Sequence, residues 1–133
     1  MQINQIVETI ENFAPLDTQE SWDYSGFQLD LDKREVQKIL LCLSVTQNII
    51  NQAVKFDCDM IISHHPLFFI PFEFNKNIPI YSAHTNLDKA YGGTTDALIE
   101  LLGFSKAQKI SDFLRLVELT QETDLDNFIN LLK

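Results

Sequence analysis

Apolar residues near the start of the chain recur every three or four positions, at Ile3, Ile6, Val7, Ile10 and Phe13. This spacing puts them on one face of an amphipathic helix, and the helix must end before Pro15, whose ring and missing amide proton break a helix interior. Residues 14–37 turn mixed and polar around the island Trp22-Asp23-Tyr24-Ser25-Gly26-Phe27 and are read as an ordered loop. The run ILLCLSV at 39–45 is continuous rather than alternating, which predicts a strand covered on both faces of a parallel sheet. Thr46 is placed to cap a helix over 47–56 that turns Ile49, Ile50, Ala53 and Val54 to one side.

Met60-Ile61-Ile62 is a second short buried strand, running straight into Ser63-His64-His65-Pro66. One helix between two such strands predicts a right-handed βαβ unit. Residues 78–82 form a third strand, followed by Ala83-His84-Thr85-Asn86-Leu87-Asp88. Gly92-Gly93 and a cap at Thr94 or Thr95 open a helix with Ala97, Leu98, Leu101 and Leu102 inward, stopped at Gly103. Residues 114–119 read as a strand, and Thr123 caps a last helix with Leu125, Phe128, Ile129 and Leu132 inward. The alternation predicts an α/β fold: a mostly parallel, helix-covered sheet in a single domain over 1–133.

Composition narrows the class. With 45% hydrophobic residues and ten Phe the chain can bury a core and is not a disordered one. A net charge of −9 without a basic stripe excludes non-specific nucleic-acid binding, which requires clustered Lys and Arg. Cys42 and Cys58 lack C-x-x-C spacing and read as reduced thiols, with Cys42 in the core. Residues 1–13 carry Glu8 and Glu11 but no Lys or Arg, the opposite of a signal peptide, and no run approaches the ~20 apolar residues of a membrane span. No membrane association is expected, and the cytoplasm is the expected location.

The three histidines all lie just past predicted strand ends, where open α/β sheets place their ligands. Pro66 pushes His65 toward an extended conformation. Neutral imidazole is the commonest metal ligand, and His64 and His65 with a carboxylate such as Asp88 make a mixed N/O set suited to zinc, manganese or iron. The competing explanations are a histidine that only bonds backbone at a strand end and an Asp that only makes a turn. His84 reads first as a support for the ligands, with third ligand and proton shuttle as alternatives. Trp22 is expected to be a packing anchor rather than a stacking platform, and Gly92-Gly93 a tight turn rather than an anion cradle. Ser63 has no G-x-S-x-G elbow around it, and there is no P-loop.

These residues resemble the Nif-three-like family, the dinuclear-metal-centre hexameric proteins also labelled GTP cyclohydrolase I type 2 homologues. Trp22-Asp23 through Gly26-Phe27-Gln28 is similar to the family's W-D-N-x-G-L-Q, and Thr46 through Ala53 to its T-x-x-x-x-x-x-A helix. Residues 61–67 match I-I-(S/T)-H-H-P-L; residues 81–88 match Y-S-x-H-T-N-L-D, with Gly93 and Asp96-Ala97-Leu98 following. Tyr24 stands where the family usually has Asn, and Ser44 where an Asp often closes the first strand. The connection from Pro66 to Ile78 is shorter than usual and is expected to lack a helix.

The resemblance implies that His64, His65 and Asp88 bind metal, as part of a centre of two divalent ions of the zinc, iron or manganese class. It implies a metal-dependent hydrolase acting on a nucleotide or other phosphate-bearing substrate, assembled as a homo-oligomer, hexameric in the family. The alternative is a non-catalytic metal-binding or scaffold protein, or an inactive partial chain. Family members continue into a second half with a H-x-x-x-E pair that is absent here, so the chain is expected to be the N-terminal half. Three side chains under-coordinate two ions, so weak or absent loading of the isolated chain is expected, unless water or a neighbouring subunit completes the site.

Overall fold

The computed structural model describes residues 1–31, 35–67, 77–104 and 106–132. The connection expected to lack a helix falls largely, at 68–76, outside the described residues. The chain forms two compact units, Met1–Leu87 and Asp88–Lys133.

The first unit is built on a four-stranded sheet of β1 (Gly26–Leu29), β2 (Ile39–Cys42), β3 (Met60–Ser63) and β4 (Ile80–Ser82), in the order β1-β4-β3-β2. Strands β2, β3 and β4 are parallel, as their apolar runs predict. Strand β1, which runs antiparallel to β4, occupies part of the segment read as a loop. Phe27-Gln28-Leu29-Asp30 does alternate apolar and polar, the period of a strand, but it sits inside a mixed, polar segment; in the fold it pairs with Tyr81 and its neighbours. Gly26 opens β1 at φ +113, a backbone region that side-chain-bearing residues rarely adopt.

Helices cover the two faces of this sheet. Helix α1 (Ile3–Phe13) lays Ile3, Ile6, Val7 and Ile10 against Val36, Met60, Ile62 and Tyr81. Helix α2 (Gln47–Lys55) begins at Thr46, whose hydroxyl accepts from the Ile49 amide. It lays Ile50 and Ala53 against Ile61 and Ile80 on the other face, where Leu40, Cys42 and Leu67 also pack. Alternation along β3 and β4 therefore serves two cores, each buried Ile or Met contributing about 1.5–3 kcal/mol. Strand β2 departs from its expected double cover. It lies at the end of the sheet, and Ile39, Leu41 and Leu43 are exposed while Leu40 and Cys42 pack on α2. A continuous apolar run shows that both faces are apolar, but not that both are covered.

After β4 comes the short helix α3 (Thr85–Lys89). The second unit holds α4 (Thr94–Leu101), the hairpin pair β5 (Gln108–Lys109) and β6 (Arg115–Leu116), and α5 (Leu125–Leu131). Gly93 rather than a threonine stands at the N-cap of α4, and Asp124 rather than Thr123 caps α5, accepting from the Asn127 amide at 2.8 Å. Strand β6 covers only the start of the expected 114–119. Arg115 fastens it, donating from Nε and Nη2 to the two Asp96 carboxylate oxygens at 2.5 and 3.1 Å. Leu98, Leu101, Leu125, Ile129 and Leu132, expected inward, are exposed. Periodicity says which residues share a face, not whether another element lies over it. No helix among the described residues is long and apolar enough to cross a membrane.

Candidate metal centre

The parallel register decides where the site forms. Cys42, Ser63 and Ser82, the last residues of β2, β3 and β4, pair across the sheet, and Gly26 at the start of β1 pairs with Ser82. Residues just after the three parallel strands and just before β1 therefore gather on one sheet edge. These residues are Ser44, His64-His65, His84 and Asp23-Tyr24-Ser25.

Three histidines converge there. One candidate ligand atom from each of His64, His65 and His84 falls in a group within 4.8 Å of one another. Ring centroids stand 5.0 Å apart for His64 and His84, 5.1 Å for His64 and His65, and 5.5 Å for His65 and His84. Adjacent side chains of an extended strand point to opposite faces, so His64 and His65 share a site only because the chain leaves the sheet after Ser63. The His64 and His65 amides donate to the Cys42 and Leu43 carbonyls, and the buried Ser63 hydroxyl donates to the His65 carbonyl at 3.0 Å. The backbone of the pair is thus held on both sides.

Each imidazole is also held at Nδ1. His64 Nδ1 lies 3.1 Å from the Ala83 carbonyl, His65 Nδ1 2.6 Å from Ser44 Oγ, and His84 Nδ1 3.0 Å from Asp23 Oδ1. A carbonyl oxygen can only accept, so the Ala83 contact fixes His64 as the Nδ1–H tautomer with the lone pair on Nε2. A serine hydroxyl can donate or accept, so the Ser44 contact alone leaves either tautomer open for His65.

Asp23 is the centre of the surrounding network, with its side chain fully buried. Oδ1 accepts from the Tyr24 amide at 2.7 Å; Oδ2 accepts from the Thr85 amide at 3.0 Å, the Thr85 hydroxyl at 2.5 Å and the Ser25 hydroxyl at 3.1 Å. Burial pushes the Asp23 carboxyl up, but bonds from Thr85, His84 and Tyr24 outweigh it and hold the group well below the usual carboxylate range. Asn86, also fully buried, accepts from the His84 amide and donates to the Ala14 carbonyl, and its Oδ1 shares the single Ser25 hydroxyl proton with Asp23 Oδ2.

Of the expected ligands, the structure brings His64 and His65 together and adds His84 to them directly. Asp88 lies on α3 as the first residue of the second unit, and its carboxylate accepts from the Thr94 hydroxyl. Trp22, expected to anchor packing, is 57% exposed, and its ring stands edge-on to His84 with centroids 6.0 Å apart. Sequence reading did not assign roles to Asp23, Ser25, Thr85 and Asn86. They sit inside the two quoted motifs, the only signal that could have marked them.

The profile of the Duf34/NIF3 (NGG1p interacting factor 3) family matches residues 1–133. The chain belongs to this family. It is 33% identical to a Clostridium perfringens protein named GTP cyclohydrolase 1 type 2 homolog, in a match spanning 100% of this chain and 60% of that one. A Methanocaldococcus jannaschii protein of the same name is 34% identical over 84% of this chain and 52% of its own length. Among solved structures, reduced HcgD from Methanocaldococcus jannaschii superposes with a TM-score of 0.79 at 30% identity, covering 98% of this chain and 58% of that one. A Bacillus cereus protein related to NIF3 superposes at 0.73 with 28% identity, covering 84% and 35%. The chain thus spans about 60% of the Clostridium relative and of HcgD, and shares with the NIF3-like structures a mostly parallel, helix-covered sheet.

Proposed function

We propose that this NIF3-family chain contributes His64, His65 and Asp88 to a centre of two divalent ions of the zinc, iron or manganese class, with His84 beside them. We further propose that the complete site hydrolyses a nucleotide or another phosphate-bearing substrate. The observation that carries this reading is the convergence of three imidazoles whose Nδ1 atoms are each engaged by protein groups. The donor set fits: grouped imidazoles held from behind are the arrangement metal-ligating histidines adopt. Such ions, when bound, supply Lewis-acid polarisation of a substrate oxygen and acidification of water.

The chain's own residues would position the substrate and keep the ligands in place. Ser63 and Ser82 hold the His65 carbonyl, Asp23 and Asn86 hold the His84 segment, and the exposed Trp22 ring stands beside His84. The relatives' name supports a nucleotide. Homo-oligomeric assembly, hexameric by family resemblance, and a cytoplasmic location belong to the same proposal. Three imidazoles satisfy one zinc-like ion better than two, which favours, as a second reading, a non-catalytic one-ion site.

Metal analysis and turnover separate these readings. With the site completed by water or a neighbouring subunit, protein titrated with excess zinc, manganese or ferrous iron is expected to hold metal and to release product from GTP or a phosphoester, and His65→Ala to lose most of the metal. Metal-dependent melting without turnover supports the second reading. Unchanged metal content in His65→Ala removes that residue from the site.

A further inference from the structure

We infer that Asp23 is the positioning residue of the centre: it fixes His84 as the Nδ1–H tautomer and so aims the Nε2 lone pair into the histidine cluster. The inference rests on the metal-site reading above, extends it by taking His84 as a further ligand with His64 and His65, and adds a residue that lies outside the ligand set and 61 positions before His84.

The geometry carries it. Apart from His84, both Asp23 oxygens are occupied by groups that can serve as donors: the Tyr24 and Thr85 amides and the Thr85 and Ser25 hydroxyls. Both amides can only donate, and one faces each oxygen. A carboxylate surrounded in this way acts as an acceptor toward His84 Nδ1, 3.0 Å away. The proton of the pair therefore sits on Nδ1. The ring cannot rotate away easily: the His84 amide is held by Ser25 Oγ and Asn86 Oδ1, both at 3.0 Å, and the Trp22 ring edge flanks the imidazole. The partner of His84 Nδ1 is a carboxylate, whereas the groups described at His64 Nδ1 and His65 Nδ1 are a carbonyl and a hydroxyl. An anionic partner raises ligand basicity as well as orienting the ring.

Asparagine at this position cannot reproduce the arrangement. If its amide nitrogen takes the Oδ2 place, it meets the Thr85 amide and two hydroxyls. If it takes the Oδ1 place, it meets His84 Nδ1, which must then accept, moving the imidazole proton to Nε2 and out of use as a ligand. Asp23→Asn is therefore expected to raise the Nε2–H population of His84 and to lower divalent-ion affinity by about tenfold to a hundredfold.

Long-range 15N–1H correlation spectra of the imidazoles in metal-free protein read the tautomer directly, and cobalt(II) titration followed by visible absorption reads affinity and coordination. Nδ1–H at His84 in the wild type, a shift toward Nε2–H in Asp23→Asn, and weaker cobalt binding with an altered spectrum are the expected results. Nε2–H at His84 in the wild type overturns the inference, and so does cobalt binding within about twofold of wild type in a folded Asp23→Asn. If Asp23→Asn does not fold, the wild-type tautomer still decides. If the wild type binds no cobalt, the metal reading fails while the tautomer measurement stands by itself.

Discussion

Ser63 and Ser82, buried on adjacent parallel strands, hold their hydroxyls 2.7 Å apart beneath the His65 carbonyl. Both oxygens lie within hydrogen-bond reach of that carbonyl, at 3.0 and 3.3 Å. The last residues of β3 and β4 thus tie the sheet edge to the backbone of the histidine pair. Ser82→Ala removes one member and leaves Ser63 with fewer partners in a dry place, so it is expected to cost about 1–2 kcal/mol by urea denaturation. A change within ~0.3 kcal/mol would show that the pair does not hold the edge.

Tyr81 gives a pH signature away from the histidines. It is fully buried under α1, and its hydroxyl donates to Glu11 Oε1 at 2.9 Å. Burial and the Glu11 carboxylate push the phenol above its ordinary value of 10.0. The folded state therefore holds its proton more tightly than the unfolded chain, so this contribution is fully present below pH 10 and lost as pH rises beyond it. Denaturation midpoints should fall above that pH in the wild type and fall less steeply in Tyr81→Phe. At neutral pH the variant is expected to be about 1–2 kcal/mol less stable.

Leu67 follows the histidine loop, packs against the α2-side core and donates its amide to Gln28 Oε1 at 2.7 Å. Leu67→Ala keeps the backbone bond and loses the packing, so a loss of about 1–2 kcal/mol is expected for this partly buried side chain, with metal content unchanged. Loss of metal with an unchanged melting point would reverse the assignment.

Ser44 stands where the family often has Asp, and its hydroxyl is 2.6 Å from His65 Nδ1. Removing it in Ser44→Ala is expected to weaken zinc binding by about tenfold, the lower end of the range for groups behind a ligand. Ser44→Asp, which gives His65 an anionic partner, should bind at least as tightly as wild type. Calorimetric titration checks both, and equal affinities in all three proteins would remove Ser44 from the site.

Much of the architecture is legible in local sequence because it follows from local physics. The three- and four-residue spacing of Ile3, Ile6, Val7 and Ile10 makes a helix with one apolar face whatever it meets, and the apolar runs ending at Cys42, Ser63 and Ser82 make strands. The H-H-P-L and H-T-N-L-D blocks mark the sheet edge where the site lies. Tertiary structure alone decides which side chains meet and which faces are covered. Strand β1 pairs with β4, and β2 exposes Ile39 and Leu41 because α1 packs over β3 and β4. His84 enters the histidine group, and Asp23 reaches His84 across 61 positions, because the register brings three strand ends and one strand start to the same edge. A residue's spacing along the chain states what it can form with its near neighbours; hydrogen-bond register between distant segments is a property of the folded sheet, and no single segment carries it.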